Sequence, residues 1–290
     1  MKKITEVQHI DLHMHSTVSD GTDSPAEILK NVRETGLELF ALTDHDAIAG
    51  CAEVRGLLRP EDPLFISGVE FSCRDEDGKY HMLGYGYDAE APAMRKIVET
   101  GHRTRVAKVR ERLSLLKRDF NITFPEEDVE WLFQNHNPGK PHIAKLMVKH
   151  GQASSIQDAF GKVLNSLHVA STYIRPEEAI EAILGSGGIP VLAHPPYGSG
   201  DEMILGKDME HRLQKLVGFG LRGVEAFYSG FTEKLQTDML GFAERFDLYV
   251  TAGSDYHGTN KMIALGDNNL EDAQQAPEGL RRFLADVPLR

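Results

Sequence analysis

Short apolar runs alternate with amphipathic helical patterns over the first ninety residues of this chain, and the alternation resumes near residue 175. That rhythm belongs to βαβ units, in which a helix carries the chain back across the sheet after each strand. Strands are expected at residues 7–12, 39–43, 64–71, 80–87, 189–193, 223–227 and 248–252. Ser24-Pro25-Ala26-Glu27 offers an N-cap, a proline for the first helical position and a capping-box glutamate, so a helix should follow and stop near Gly36. A second helix is expected over residues 47–58, and Asp77-Gly78 should turn a hairpin between the third and fourth strands. From about residue 93 the next eighty residues carry helical patterns only, with Val106, Val109, Leu113 and Leu116, then Ile143, Leu146 and Met147, at helical spacing. Seven strands around a helical insertion favour an α/β fold of the distorted (β/α)7 TIM-like barrel type. Residues 1–92 and 175–290 would form the barrel, and residues 93–174 an inserted helical lid. No GxGxxG follows the first strand and no P-loop occurs, which argues against an open nucleotide-binding sheet.

The chemistry-bearing residues fall where these strands end. The clusters are Asp11-Leu12-His13-Met14-His15-Ser16 with Ser19-Asp20-Gly21, then Thr43-Asp44-His45-Asp46, Gly68-Val69-Glu70-Phe71-Ser72, His81, Ala193-His194-Pro195-Pro196, and Gly253-Ser254-Asp255-Tyr256-His257-Gly258. Residues two apart on an extended strand face the same side, so His13 and His15 can hold one ion together. Imidazole mixed with carboxylate suits Mn²⁺, Zn²⁺ or Fe²⁺ better than Mg²⁺ or Ca²⁺, with Mn²⁺ the first choice. Two cysteines, Cys51 and Cys73, make no disulfide framework and read as buried or half-buried thiols. The chain has 32 Lys+Arg against 44 Asp+Glu, a formal charge of −12, which argues against gripping a DNA duplex through charge alone. No stretch is apolar enough to span a membrane. Met1-Lys2-Lys3-Ile4-Thr5 runs into Glu6 and Gln8 without the apolar core of a secretory signal, and a cytoplasmic location is expected.

The segments HMHSTVSDG, LTDHDAIAG, GVEFS, HMLGYGY, LAHPP and AGSDYHG resemble the successive motifs of the polymerase and histidinol phosphatase (PHP) family. With the helical insertion before LAHPP, the spacing is similar to the family's branch of 3′,5′-bisphosphate nucleotidases and 5′-3′ exoribonucleases. The resemblance implies two to three divalent ions. It assigns His13, His15, Glu70 and Asp255 to the first, Glu70, His81 and His194 to the second, and Asp20, His45 and His257 to the third. Such ions lower the pKa of a water and neutralise a phosphate during in-line displacement, so no serine or cysteine nucleophile is needed. Asp44 and Asp46 flank His45 and read as orienting groups, or Asp46 as a helix N-cap.

In the insertion, Gly139-Lys140-Pro141-His142 is similar to a Gly-Arg-Pro-His segment of that branch whose basic residue and histidine face the substrate phosphate. Lys140 and His142 are therefore expected substrate contacts, with Arg175 and Ser16 as further candidates. Arg103, Arg105, Arg110 and Arg112 read as the polar face of a long helix with room for one to turn toward the cleft, and Trp131 as core. His9, His102, His136, His150, His168 and His211 match no motif and are expected to be structural or exposed. The leading expectation is a phosphoesterase that takes a 3′,5′-bisphosphate nucleotide to a 5′-monophosphate, such as AMP, and phosphate. Its rivals are a 5′-3′ exoribonuclease on short RNA, a non-nucleotide phosphatase, and an amidohydrolase-like hydrolase, ranked lower because no metal-bridging lysine motif occurs. A non-catalytic module stabilised by metal is disfavoured because all nine ligand positions are filled.

Overall fold

Seven strands form one sheet in chain order, β1 (Ile10–Asp11), β2 (Leu39–Leu42), β3 (Leu64–Asp75), β4 (Gly78–Tyr85), β5 (Ile189–Leu192), β6 (Gly223–Tyr228) and β7 (Tyr249–Gly253). This is a computed structural model, and it describes residues 3–135, 137–170, 173–199 and 202–289; Met1, Lys2 and His136 lie outside the described residues. Neighbouring strands are parallel except β4, which runs antiparallel to both β3 and β5. The sheet curls until β1 meets β7, where Leu12 N donates to Ala252 O at 2.9 Å and His15 N to Tyr256 O at 2.8 Å. The result is a nearly closed, distorted barrel.

Among the described residues ten α-helices surround and extend it: α1 (Pro25–Thr35), α2 (Ala49–Leu57), α3 (Pro92–Phe120), α4 (Glu126–Gln134), α5 (Lys140–Lys149), α6 (Ile156–Ala159), α7 (Pro176–Gly185), α8 (Gly206–Phe219), α9 (Glu233–Arg245) and α10 (Glu278–Asp286). Local chemistry explains α1. Ser24 accepts from Glu27 N and Glu27 returns the bond to Ser24 N, a cap worth about 1 kcal/mol, while Gly36 ends the helix at a φ of 76°. Among the described residues no helix is long and apolar enough to cross a membrane.

Several expected boundaries shift. β1 is shorter than residues 7–12, and β3 is longer than residues 64–71 because its larger part, Gly68–Asp75, leaves β2 and pairs with β4. The hairpin turns on Glu76 and Asp77, one residue earlier than expected, with Gly78 already paired to Asp75. The second helix begins at Ala49, and its cap position is Ile48, so Asp46 is not its N-cap. Trp131 is 40% exposed rather than core, since α4 buries Asp128 and Leu132 instead.

The helical insertion has an apolar core of its own, including Val109, Leu116, Leu132, Ile143 and Met147. Its first helix belongs to both bodies. Met94 and Ile97 of α3 pack in the barrel core, and the change of allegiance falls between Ile97 and Val109 rather than at residue 93. Gly101 permits this crossing, because a Cβ there would lie 2.7 Å from Asp46 Cβ.

Candidate metal centre

Leu12 and Met14 are fully buried toward the core, and the strand alternation therefore turns His13 and His15 together to the other side, at the mouth of the barrel. The remaining elements converge on the same place. His45 follows β2 and is bridged to Glu70 by Asp46 N donating to Glu70 O at 2.9 Å. His81 sits near the start of β4 rather than its end, opposite Ser72, since an antiparallel strand brings its beginning to the mouth where parallel strands bring their ends. His194 follows β5 with φ 26°, and Asp255 follows β7 with φ 59°. Asp46, at φ 50°, is a third non-glycine residue in left-handed backbone here, a concentration of strain typical of a working site.

Glu70 is the hub. Its Oε1 lies 3.0 Å from His81 Nδ1, 3.3 Å from His194 Nε2 and 3.4 Å from His13 Nε2, and its Oε2 lies 3.0 Å from His45 Nδ1 and 3.2 Å from His15 Nε2. Asp255 Oδ1 faces His15 Nε2 at 3.4 Å, His13 Nε2 at 3.6 Å and His257 Nδ1 at 3.3 Å, and Asp20 Oδ1 faces His257 Nε2 at 3.4 Å. Donor atoms gather as His15, Asp20, His45 and His257; His13, His15 and Asp255; His13, Glu70 and His194; and His45, Glu70 and His81. The structure thus brings all nine expected ligand residues together. It divides the middle group differently from the expectation, setting His194 nearer His13 and His81 nearer His45, though both share Glu70 Oε1.

These residues fit divalent ions. His13 Nε2, His15 Nε2, Asp20 Oδ1, His45 Nδ1 and His81 Nδ1 are buried, face the cluster and have no hydrogen-bond partner among the described residues. Buried polar atoms are rarely left so, and mixed nitrogen and carboxylate donors aimed at common points are what a transition ion satisfies. The electrostatics agree. Burial acts to raise Glu70, but His81, His45 and His13 prevail and hold its carboxyl well below the usual range. Asp20 is held low against its burial by His45 and His257. Burial opposes charge on His15, yet Asp255 and Glu70 push it up to about 9. At His45 burial wins and the ring is held well below its ordinary value. Buried carboxylates here demand positive charge from whatever occupies the centre.

A second layer fixes the ring orientations, and sequence reasoning missed most of it. Glu225 of β6, fully buried, lies 2.9 Å from His13 Nδ1 through Oε1 and accepts from His194 N at 2.8 Å through Oε2. With the Nδ1 proton on the Glu225 side, His13 presents the lone pair of Nε2 to the centre. His257 does the same, since its Nδ1 lies 2.9 Å from Asp255 O, a carbonyl that can only accept. Asp11 accepts from Ser254 N at 3.0 Å and Ser254 Oγ at 2.6 Å, Tyr228 donates to Asp255 at 2.9 Å, and Lys261 pairs with Asp255. The available signal for Glu225 was a lone carboxylate inside the apolar run Gly223-Val224-Glu225-Ala226-Phe227, which must find a partner when buried. Gly253 completes this layer. Its added Cβ would lie 2.2 Å from His13 Cβ and 2.6 Å from Glu225 Oε1. Gly253→Ala is therefore expected to cost about 1–3 kcal/mol of stability and to weaken metal retention, checked by thermal melting and metal analysis; an unchanged variant would show that this wall yields.

The flanking candidates separate. Asp44 orients the first loop, accepting from Ser16 N and Ser16 Oγ, both at 2.8 Å, and from Ser19 Oγ at 2.7 Å. Ser16 is thereby fully buried and committed, so it is not placed to touch substrate. Asp46 holds Arg105 Nε at 2.6 Å and Ser72 N at 3.0 Å. A cavity of about 390 Å³ opens beside the centre, walled by Asp20, His45, His81 and His257 on one side and by Arg105, Lys108, Arg112 and Lys140 of the insertion on the other. Lys140 is half-buried at this wall with Nζ 2.8 Å from Asn165 Oδ1. His142 instead accepts from Gly139 N at 3.1 Å, and burial lowers it to about 4. Arg175 is exposed and paired with Glu177 and Glu76, away from the cavity, because its backbone caps α7. His9, His102, His150, His168 and His211 are exposed.

Comparison with known proteins bears on the same residues. The sequence matches the PHP domain family over residues 11–286. It is 29% identical over 262 residues to a 5′-3′ exoribonuclease of Haemophilus influenzae, covering 89% of this chain and 93% of that protein. It is 28% identical over 253 residues to a 3′,5′-nucleoside bisphosphate phosphatase of Chromobacterium violaceum, covering 86% and 87%. A solved structure from Bifidobacterium adolescentis, assigned as a metal-dependent phosphoesterase, superposes with a TM-score of 0.83 at 30% identity over 96% of each chain. A match spanning both halves of the barrel and the insertion between them, joined to a buried centre of nine ligand-type side chains, makes this chain a member of the PHP domain family, a metal-dependent phosphoric ester hydrolase.

Proposed function

We propose that the protein hydrolyses phosphate monoesters of small nucleotides, taking a 3′,5′-bisphosphate nucleotide to its 5′-monophosphate and inorganic phosphate. The observation that carries this reading is the cavity, in which carboxylate and imidazole ligands face a wall of cations across about 390 Å³, the size range of small-molecule sites. In the assignment we propose, His13, His15, Glu70 and Asp255 hold one ion, Glu70 with His81 and His194 a second, and Asp20, His45 and His257 a third, Mn²⁺ being the best match to the donor set. Bound ions would supply Lewis acidity toward the phosphate and a water of lowered pKa. The chain's own residues do the rest: Glu225 and the Asp255 carbonyl set the tautomers of His13 and His257, Asp46 holds Arg105 beside His45, and the insertion supplies the cationic wall of the cavity. Asn137 of the insertion donates to His45 O and ties the two bodies together at the centre.

The similarity to an exoribonuclease makes short 5′-phosphorylated RNA the competing substrate. A cavity of small-molecule size and a net charge of −12 favour the smaller one. Phosphate release from adenosine 3′,5′-bisphosphate, mononucleotides and short RNAs, with metal content measured on the same sample, tests the reading. Activity should vanish on chelation and return with Mn²⁺, greatest on the bisphosphate. Preference for RNA, or chelator-resistant turnover, would refute it.

A further inference from the structure

Helix α3 carries three cations into the cavity, and among the described residues only one of them, Arg105, is bound to a carboxylate. Residues 105, 108 and 112 share a face of an α-helix, spaced about 4.5 Å and about 6 Å along its axis. Arg105 meets Asp46 beside the metal centre. Lys108 is only 5% exposed and makes no ion pair among the described residues; its Nζ rests 3.3 Å from the centroid of the Tyr173 ring. Arg112 is half-buried, and its Nε is buried with no hydrogen-bond partner among the described residues. Buried cations repel one another and lose hydration, so a fold gains nothing by holding them unpaired. Burial depresses Lys108 to about 7, with Asp46 opposing and Arg105 and Arg112 adding to the effect.

We propose that Lys108 and Arg112 form an anion site that takes the phosphate remaining on the substrate while the other phosphate sits at the metal centre. The inference rests on the phosphoesterase reading and deepens it, by making the substrate a small molecule with two separated phosphate groups. The order of cations along α3 suits such a molecule. Arg105 meets Asp46, the neighbour of His45, and Lys108 and Arg112 follow about one and about two turns further along α3 on the same cavity wall. Tyr173 holds Lys108 through its ring face until an anion arrives.

The test uses the metal-loaded enzyme and the variants Lys108→Met and Arg112→Gln. For adenosine 3′,5′-bisphosphate, KM should rise about 10- to 100-fold in each variant with kcat within about threefold, the loss expected for charge-assisted hydrogen bonds. For p-nitrophenyl phosphate, which has only the scissile group, neither constant should move. The melting temperature without ligand should hold or rise, because the substitutions remove unpaired buried charge. Equal losses on both substrates, no loss on either, or a lowered melting temperature accompanied by lost kcat would overturn the proposal. If the unaltered enzyme cleaves neither substrate, the phosphoesterase reading falls by itself, and calorimetry with 5′-AMP then decides the anion site. Binding at least about tenfold weaker in Lys108→Met supports it, and equal binding overturns it.

Discussion

Glu70→Gln is expected to lower kcat by about 10³-fold and to cost the protein at least part of its bound metal, because among the described residues no other carboxylate faces so many imidazoles. Five imidazole nitrogens, from His13, His15, His45, His81 and His194, lie within 3.4 Å of its two oxygens. The amide removes a charge that offsets the occupants of the centre, and it turns one acceptor into a donor aimed at positions where cations belong. A single histidine variant loses one contact and leaves the charge balance intact. Glu70→Gln should therefore exceed any of them in lost activity. The measurement is kcat with metal content, beside melting temperature and circular dichroism to establish folding. A folded variant with full metal content and near-normal kcat would remove Glu70 from the hub.

What could be read from the sequence follows from where each signal resides. The HxH at His13 and His15, the capped helix after Ser24, and the order of strands are local: alternation, caps and apolar periodicity are written within a few residues. The nine converging side chains were legible through the resemblance of their segments to the family's motifs; most lie at or just past a strand that ends at the barrel mouth, whereas Glu70 sits in the middle of β3 and Asp20 on the loop well beyond β1. The rest depends on approach between distant segments. Glu225 meets His13 across 212 residues, and Asp46 meets Arg105 across 59. Nothing near Asp46 states that it will bind an arginine rather than cap a helix, and nothing near Ser16 states that Asp44 will consume its hydroxyl. Arg105 and Arg112 could be placed on a polar face, but that this face looks into a cavity is a property of how the insertion docks. Lys108 carried no local mark at all.

Glu225→Gln is expected to weaken metal binding about 10- to 100-fold, the range for loss of an outer carboxylate that orients a metal-ligating histidine. The reason is geometric. Glu225 offers one oxygen to His13 Nδ1 and the other to His194 N, so both of its partners need an acceptor. A glutamine has one acceptor and one donor. If its oxygen faces His194 N, its amide nitrogen faces His13 Nδ1 and stabilises the tautomer with the proton on Nε2, which points that proton at Glu70 and Asp255 where a lone pair is required. If the oxygen faces His13, the backbone N–H of His194 meets a donor, and the strained left-handed turn at His194 loses its support. Either outcome displaces a ligand without deleting one. That distinguishes this variant from Glu70→Gln: raising the Mn²⁺ concentration should restore most of the lost activity in Glu225→Gln and little of it in Glu70→Gln. Metal titration of kcat on both variants makes the comparison. A Glu225→Gln enzyme with the unaltered protein's metal affinity would show that His13 takes its orientation from the strand backbone and not from this carboxylate.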